Sequence, residues 1–237
     1  MGGLFDKYDK SFGPVVQSSI DFSGLPHSFF TAAKADALRE LMAARLRGIK
    51  NPHMLDVGCG VGEFHSFVRG MFGRICGTDV SAASIDQARI RNPEVEYRDY
   101  VGETLPYDSA AFDLSIAICV LHHVPPPQWG GFLREMRRVV RPGGAVCLIE
   151  HNPLNPLTRL AVARCEFDRD AVLLRAGRTC ALMADAGLHD IQAHYFLLLP
   201  SAAPLARRIE RSFSHVPFGA QYIASGIAPA SATSRRH

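Results

Sequence analysis

The stretch Leu55-Asp56-Val57-Gly58-Cys59-Gly60-Val61-Gly62-Glu63-Phe64 decides how this 237-residue chain folds. An apolar run over 53–58 leads into three glycines at alternate positions, and a helical pattern follows over 63–71, with Phe64, Phe67, Val68 and Met71 on one face. Glycines let the backbone turn tightly and approach a ligand, and the first turn of a helix presents N–H groups that lack partners. A nucleotide-like ligand is therefore expected in the crevice at the strand's carboxyl edge. The dinucleotide fingerprint G-x-G-x-x-G is met at Gly58 and Gly60, but its third position holds Glu63, whose carboxylate would face a pyrophosphate. A P-loop would need a Lys followed by Ser or Thr, and none follows. What remains is Asp-x-Gly-x-Gly-x-Gly over 56–62.

Strand and helix signals alternate on both sides of this loop. Residues 28–48 carry apolar rows at spacings of three and four (Phe30, Ala33, Ala37, Leu41 and Leu38, Met42, Leu46), which predicts a helix ending at Gly48. RICGTDV (74–80) reads as a strand, Ser81 as the N-cap of a helix over 82–91 stopped by Asn92-Pro93, and VEY (95–97) as a short strand. FDLSIAICVL (112–121) is nearly continuously apolar, as a central parallel strand buried on both faces requires. A helix over 128–140 follows, ended by Arg141-Pro142-Gly143-Gly144, then a strand over 145–150. This alternation implies an α/β fold: a Rossmann-like, doubly wound, mostly parallel sheet in a single domain. After strand five the pattern loosens into an insertion over 151–177 with a short helix (158–165), a helix over 178–186, a strand over 190–199, a helix over 204–213 and a strand over 220–226. Residues 1–27, with Phe5, Tyr8, Phe12 and Phe22 and the breakers Pro14 and Pro26, predict an N-terminal lid segment. The domain proper spans 28–226, and 227–237 is expected to be a disordered tail.

The glycine loop resembles motif I of the class I S-adenosylmethionine (SAM)-dependent methyltransferases, and three further segments agree in order. They are Asp79 in GTDVS, 23 residues after Asp56; LPYDSAAFDLSIAICVLHHV (105–124); and RRVVRPGG (137–144). The chain is similar to the ubiquinone/menaquinone-biosynthesis type of small-molecule methyltransferase. The resemblance implies SAM as cofactor, held by Asp56, Gly58, Cys59, Gly60 and Gly62, by Asp79 and Val80, by Gly102 and Glu103, and by Cys119 and His122. In the family an acid at the position of Asp79 accepts from both ribose hydroxyls. Val101 stands where many relatives carry an adenine-contacting Asp, so that contact falls to the backbone at Gly102 or to Asp99. SAM carries no phosphate, so the loop needs no Lys. Its carboxylate can take loop amides, its ammonium can take carbonyls, and its sulfonium tolerates nearby acids or π-faces.

Two histidine positions are candidates for the chemistry. His122 and His123 follow strand four at the ligand edge, where an imidazole could deprotonate an acceptor hydroxyl or amine. The alternative is structural, with one ring near the cofactor and the other tied to backbone. Glu150, His151 and Asn152 follow strand five in EHNPLNP (150–156), and His151 is the first candidate for an acceptor-side base. Alternatively Glu150 and Asn152 satisfy turn amides and His151 is solvated. The run Cys165-Glu166-Phe167-Asp168-Arg169-Asp170 reads either as a substrate cover or as an exposed loop, and Trp129 reads as packing. No metal is expected, because the related metal-using O-methyltransferases place an acid just after strand four, where this chain has His122-His123-Val124-Pro125.

Composition narrows the classes. With 47% hydrophobic and 21% charged residues the chain has enough apolar material for one sizeable core and is not disordered. A net charge of +3, without basic clusters, argues against a nucleic-acid partner. Six cysteines without a C-x-x-C pair, no secretory leader and no long apolar run suggest a cytoplasmic protein without stable membrane insertion. The resemblance implies a small-molecule acceptor, and a monomer or homodimer is expected. Two rival readings remain: an NAD(P)-dependent oxidoreductase, and a non-catalytic partner protein that keeps the SAM-binding fold.

Overall fold

The structure, a computed structural model, describes residues 12–199, 201, 203 and 212–230. Phe5 and Tyr8, most of the helix expected over 204–213, and residues 231–237 lie outside the described residues.

Seven strands make one sheet: β1 (His53–Val57), β2 (Arg74–Asp79), β3 (Glu96–Asp99), β4 (Phe112–Ile118), β5 (Val140–His151), β6 (His189–Phe196) and β7 (Gln221–Ile227), in the order β3-β2-β1-β4-β5-β7-β6. The first five run parallel, and β7 lies antiparallel between β5 and β6. The chain thus reverses direction across the sheet between β1 and β4, the position at which doubly wound sheets open a crevice.

The helices are α1 (Phe12–Ile20), α2 (His27–Arg45), α3 (His65–Val68), α4 (Ala82–Arg91), α5 (Trp129–Arg138), α6 (Pro156–Arg164) and α7 (Ala176–Asp185). Pro14 sits in the first turn of α1, where its missing N–H breaks no intrahelical bond, so it does not act as the expected breaker. Ser81 caps α4 by accepting from the Ser84 amide at 3.2 Å. The helix expected over 63–71 is shorter: α3 gives way at Arg69 to a single 3₁₀ turn ending at Met71. The Arg141-Pro142-Gly143-Gly144 segment, expected only to stop a helix, is already part of β5. A Cβ on Gly144 would stand 2.6 Å from the Asp113 carbonyl, so a side chain there would push the two strands apart.

Alternation along the strands builds a core on each face. Leu55, Val57, Val146, Leu148 and Tyr222 pack with Leu133 and Met136 of α5 on one side. Met54, Leu114, Ile116, Cys147 and Ile149 pack with Leu38 and Leu41 of α2 on the other. β7 extends to Ile227 and Ala228 is buried, so the start of the expected tail is structured. Among the described residues no helix is long and apolar enough to cross a membrane.

Candidate active site

All three loop glycines adopt left-handed φ angles, +76° at Gly58, +52° at Gly60 and +69° at Gly62, which side chains resist. A Cβ on Gly58 would stand 2.6 Å from a Val120 methyl, whereas one on Gly60 would meet nothing within 4 Å. Gly58 is therefore required by packing, and Gly60 leaves open space in front of the loop. The loop is tied to the end of β2. The amides of Gly58 and Cys59 donate to the Thr78 carbonyl at 2.7 and 3.1 Å, and the Gly60 amide donates to Oδ2 of Asp79 at 2.8 Å. Burial raises the Asp79 carboxyl above its ordinary value, against the pull of the Ser81 and Gly60 amides.

Behind the loop lies a buried polar network. Asp56 Oδ2 pairs with His65 Nε2 at 3.0 Å, and His65 Nδ1 meets the Tyr97 hydroxyl at 2.6 Å. The Asn92 amide donates to that hydroxyl at 3.0 Å and to the Gly62 carbonyl at 2.9 Å. The other oxygen of Asp56, Oδ1, is buried without a hydrogen-bond partner.

The opposite half of the site is built on the ends of β4 and β5. Cys119 holds a left-handed φ of +56°, unusual for a side-chain-bearing residue, and directs the chain into a 3₁₀ turn over Leu121–His123. Trp129 clamps that turn by donating from Nε1 to the carbonyls of Leu121 and Val124, in keeping with its reading as packing. Glu150 accepts the Val120 and Leu121 amides on Oε1 and meets His122 Nδ1 through Oε2 at 2.5 Å. Asp168 Oδ1 lies 3.4 Å from Nε2 of both His122 and His123. Burial disfavours a charged His122, but the facing Glu150 and Asp168 carboxylates outweigh it and raise the imidazole well above its ordinary value. Burial likewise opposes the Asp168 carboxylate, yet His122 and His123 hold it well below the usual range. Asn152 does serve the turn, donating to the carbonyls of Pro217 and Gly219 and accepting from Leu154.

One cavity of about 490 Å³ joins the two halves. Of the residues expected at the site, Asp56, Gly58, Cys59, Gly60, Asp79, Val80, Gly102, Glu103, Cys119, His123 and His151 line it. Gly62 and His122 do not: Gly62 packs against Tyr97 and Asn92, and the His122 side chain is fully buried behind the wall. Asp99 is also off the wall, while Gly102 is on it. Lys34, Tyr100 and Gln221 line the cavity without having been marked by any motif. They arrive from α2, from the end of β3 and from β7, and no local pattern announces such convergence. The described part of the N-terminal segment contributes Val16, Ile20 and Phe22.

The residues present fit a sulfonium nucleoside. An orphaned carboxylate oxygen on Asp56 suits an ammonium group, Gly60 leaves room for a ligand against bare backbone, and Asp79 offers a carboxylate beside it. The sheet, the glycine loop and this cleft together define a class I methyltransferase fold. Comparison with known proteins agrees. A family described as "Methyltransferase domain" matches residues 55–148. An uncharacterized methyltransferase of Synechocystis is 30% identical over 103 residues, 43% of this chain and 49% of that protein. The malonyl-[acyl-carrier protein] O-methyltransferase of Salmonella typhimurium is 33% identical over 124 residues, 51% of this chain and 45% of that protein. The chain thus spans about half the length of these curated relatives. A solved SAM-dependent methyltransferase from Thermotoga maritima superposes with a TM-score of 0.64 at 19% identity, covering 96% of this chain and 100% of the other, a likeness of fold alone. Residues 55–148 match a methyltransferase domain, and the fold and these relatives support a class I SAM-dependent methyltransferase with SAM as cofactor.

Proposed function

We propose that the protein transfers the methyl group of SAM to a small, partly apolar acceptor bound in the same cavity. The observation that carries this reading is the continuity of that cavity. Its wall includes the glycine loop and Asp79 together with His151, His123 and the apolar side chains of Phe29, Phe30 and Phe132. Its volume, about 490 Å³, falls within the range that small-molecule sites occupy. On this reading Asp56 Oδ1 takes the ammonium, Lys34 and the loop amides take the carboxylate, and Asp79 takes the ribose hydroxyls. Gly102 and Glu103 lie where the adenine contact is expected. Bound SAM supplies a methyl group already activated on sulfur. The chain's own work is to align an acceptor, exclude water and accept a proton where the acceptor carries one. His151 is the residue for that proton: it lines the cavity, and the Gln221 amide steadies its Nδ1 from 3.4 Å.

Glu63 supports this reading over a nicotinamide dinucleotide. It lines the cavity beside the loop, paired with His27 at 3.2 Å, and would set a carboxylate against a pyrophosphate. Residues 12–27 serve as a cover over the cofactor cleft. The six free cysteines suit a reducing, cytoplasmic setting.

The test is incubation with methyl-labelled SAM and extracts of the source cells, tracing labelled products by mass spectrometry. A labelled metabolite formed by the native protein and lost in Gly60→Val is the expected result. Cofactor binding with no transfer to any extract would overturn the enzymatic reading and leave a SAM-binding partner protein.

A further inference from the structure

We propose that His122, His123 and Asp168 form a divalent-cation site, of the kind that takes Zn²⁺, on the acceptor side of the cavity. Their donor atoms all lie within 4.8 Å of one another. Asp168 Oδ1 stands 3.4 Å from Nε2 of each imidazole. Two donors bound at the usual zinc distances and at the tetrahedral angle stand about 3.4 Å apart, so each His–Asp pair already has the spacing of ligands sharing one ion. An inward turn of the His123 ring, 22% exposed at its side chain, would close the remaining gap to His122.

An independent observation points the same way. Nε2 of His122 is buried and has only the Asp168 carboxylate, 3.4 Å away, in front of it, too long for a well-formed hydrogen bond. Leaving such an atom unsatisfied costs free energy unless something occupies the space in front of it. On the other side of the ring, Glu150 meets Nδ1 at 2.5 Å and is itself held by two backbone amides. A carboxylate behind a metal-binding imidazole is the arrangement that fixes the ring and directs its free nitrogen at the ion. Charge agrees as well: the Glu150 and Asp168 carboxylates flank a single buried ring, and a divalent cation offsets their excess negative charge. Two nitrogens and one oxygen form a borderline donor set suited to zinc. His123 and Asp168 line the cavity, so the open coordination position faces the acceptor. Its ligand there would be water or an acceptor hydroxyl; that last assignment alone rests on the methyl-transfer reading.

The experiment uses the full chain, stripped with a chelator, without SAM. Titration calorimetry with Zn²⁺, and visible absorption after loading with Co²⁺, read the site directly. One ion per chain and a tetrahedral Co²⁺ spectrum are expected in the native protein. His123→Gln and Asp168→Asn should weaken binding at least tenfold with the fold intact by circular dichroism. His194→Ala, which breaks a close histidine pair away from this cluster (ring centroids 5.1 Å from His215), should leave binding unchanged. Absence of binding, or binding that survives Asp168→Asn and fails in His194→Ala, would overturn the site and leave a hydrogen-bonded relay. Because SAM takes no part, a protein that binds zinc but transfers no methyl group keeps this site and loses the function proposed above.

Discussion

The Gly60 amide donates to Oδ2 of Asp79 across 2.8 Å, so the turn after β1 and the end of β2 form one rigid lip of the cleft. On the proposed reading, cofactor recognition is a joint property of two residues 19 positions apart.

Asp79→Asn keeps the shape of that lip but removes its charge. Hydrogen bonds to a charged acceptor contribute about 1.5–3 kcal/mol. SAM affinity should fall about 10- to 100-fold by calorimetry, with little change in melting temperature. An unchanged affinity would remove Asp79 from the cofactor site.

The glycines should separate in their effects. Gly60→Val fills the open space before the loop, so binding is lost while the fold survives. Gly58→Val adds a collision with Val120 to an unfavourable φ, so it should destabilise the apo protein by several kcal/mol. Parallel thermal melts and SAM titrations of the two variants check this.

His65→Ala leaves the Asp56 carboxylate and the Tyr97 hydroxyl, both buried, without their shared partner. A loss of about 3 kcal/mol or more is expected in urea unfolding. Tyr97→Phe, which removes only the hydroxyl, should cost about 1–2 kcal/mol.

Burial pushes the Cys119 thiol up, but Lys34 and His151 outweigh it and bring the group down to about 7. Its alkylation by iodoacetamide should therefore rise through about pH 7, whereas burial pushes Cys76 up to about 11 and keeps it inert at that pH. S-adenosylhomocysteine should protect Cys119, which lines the cofactor cavity. Labelling that ignores the ligand would move the cofactor away from the end of β4.

Glu63 is held below its ordinary value, first by the hydrogen bond with His27, and also by nearby Arg91 and Lys34. A carboxyl lowered in the folded state contributes stability that is complete above its unfolded value of about 4.3 and is lost as pH falls through the folded value. Partial exposure keeps this below about 1 kcal/mol. Glu63→Gln should lower stability by up to that amount at pH 7, leave it unchanged in acid where Glu63 is already protonated, and so flatten the acid side of a stability–pH profile.

Much of the fold was legible in the chain because its signals are local. The apolar run of β4 is buried on both faces, as expected for a strand between β1 and β5. Ser81 caps the helix it was expected to cap. The turn at Arg141-Pro142-Gly143-Gly144 was misread because Gly and Pro mark a break without saying whether a helix ends or a strand begins. Of the cavity wall, Gly58, Gly60, Asp56 and Asp79 had been marked by motif, while Gly62, marked with them, packs against Tyr97 and Asn92 instead. His122 was placed at the right edge, but its burial was not foreseen, since Glu150 pulls the ring inward from a strand 28 residues away.

The order of residues alone determined the alternating α/β pattern and the tight glycine turn, because each depends on neighbours within a few positions or on backbone freedom. Only the tertiary structure decided that β7 enters antiparallel between β5 and β6 and brings Gln221 to His151. It alone decided that Asp168 closes on His122 and His123 from an insertion some 45 residues later. Such contacts come from packing the whole sheet and its cover, and a chain read one segment at a time carries no record of them.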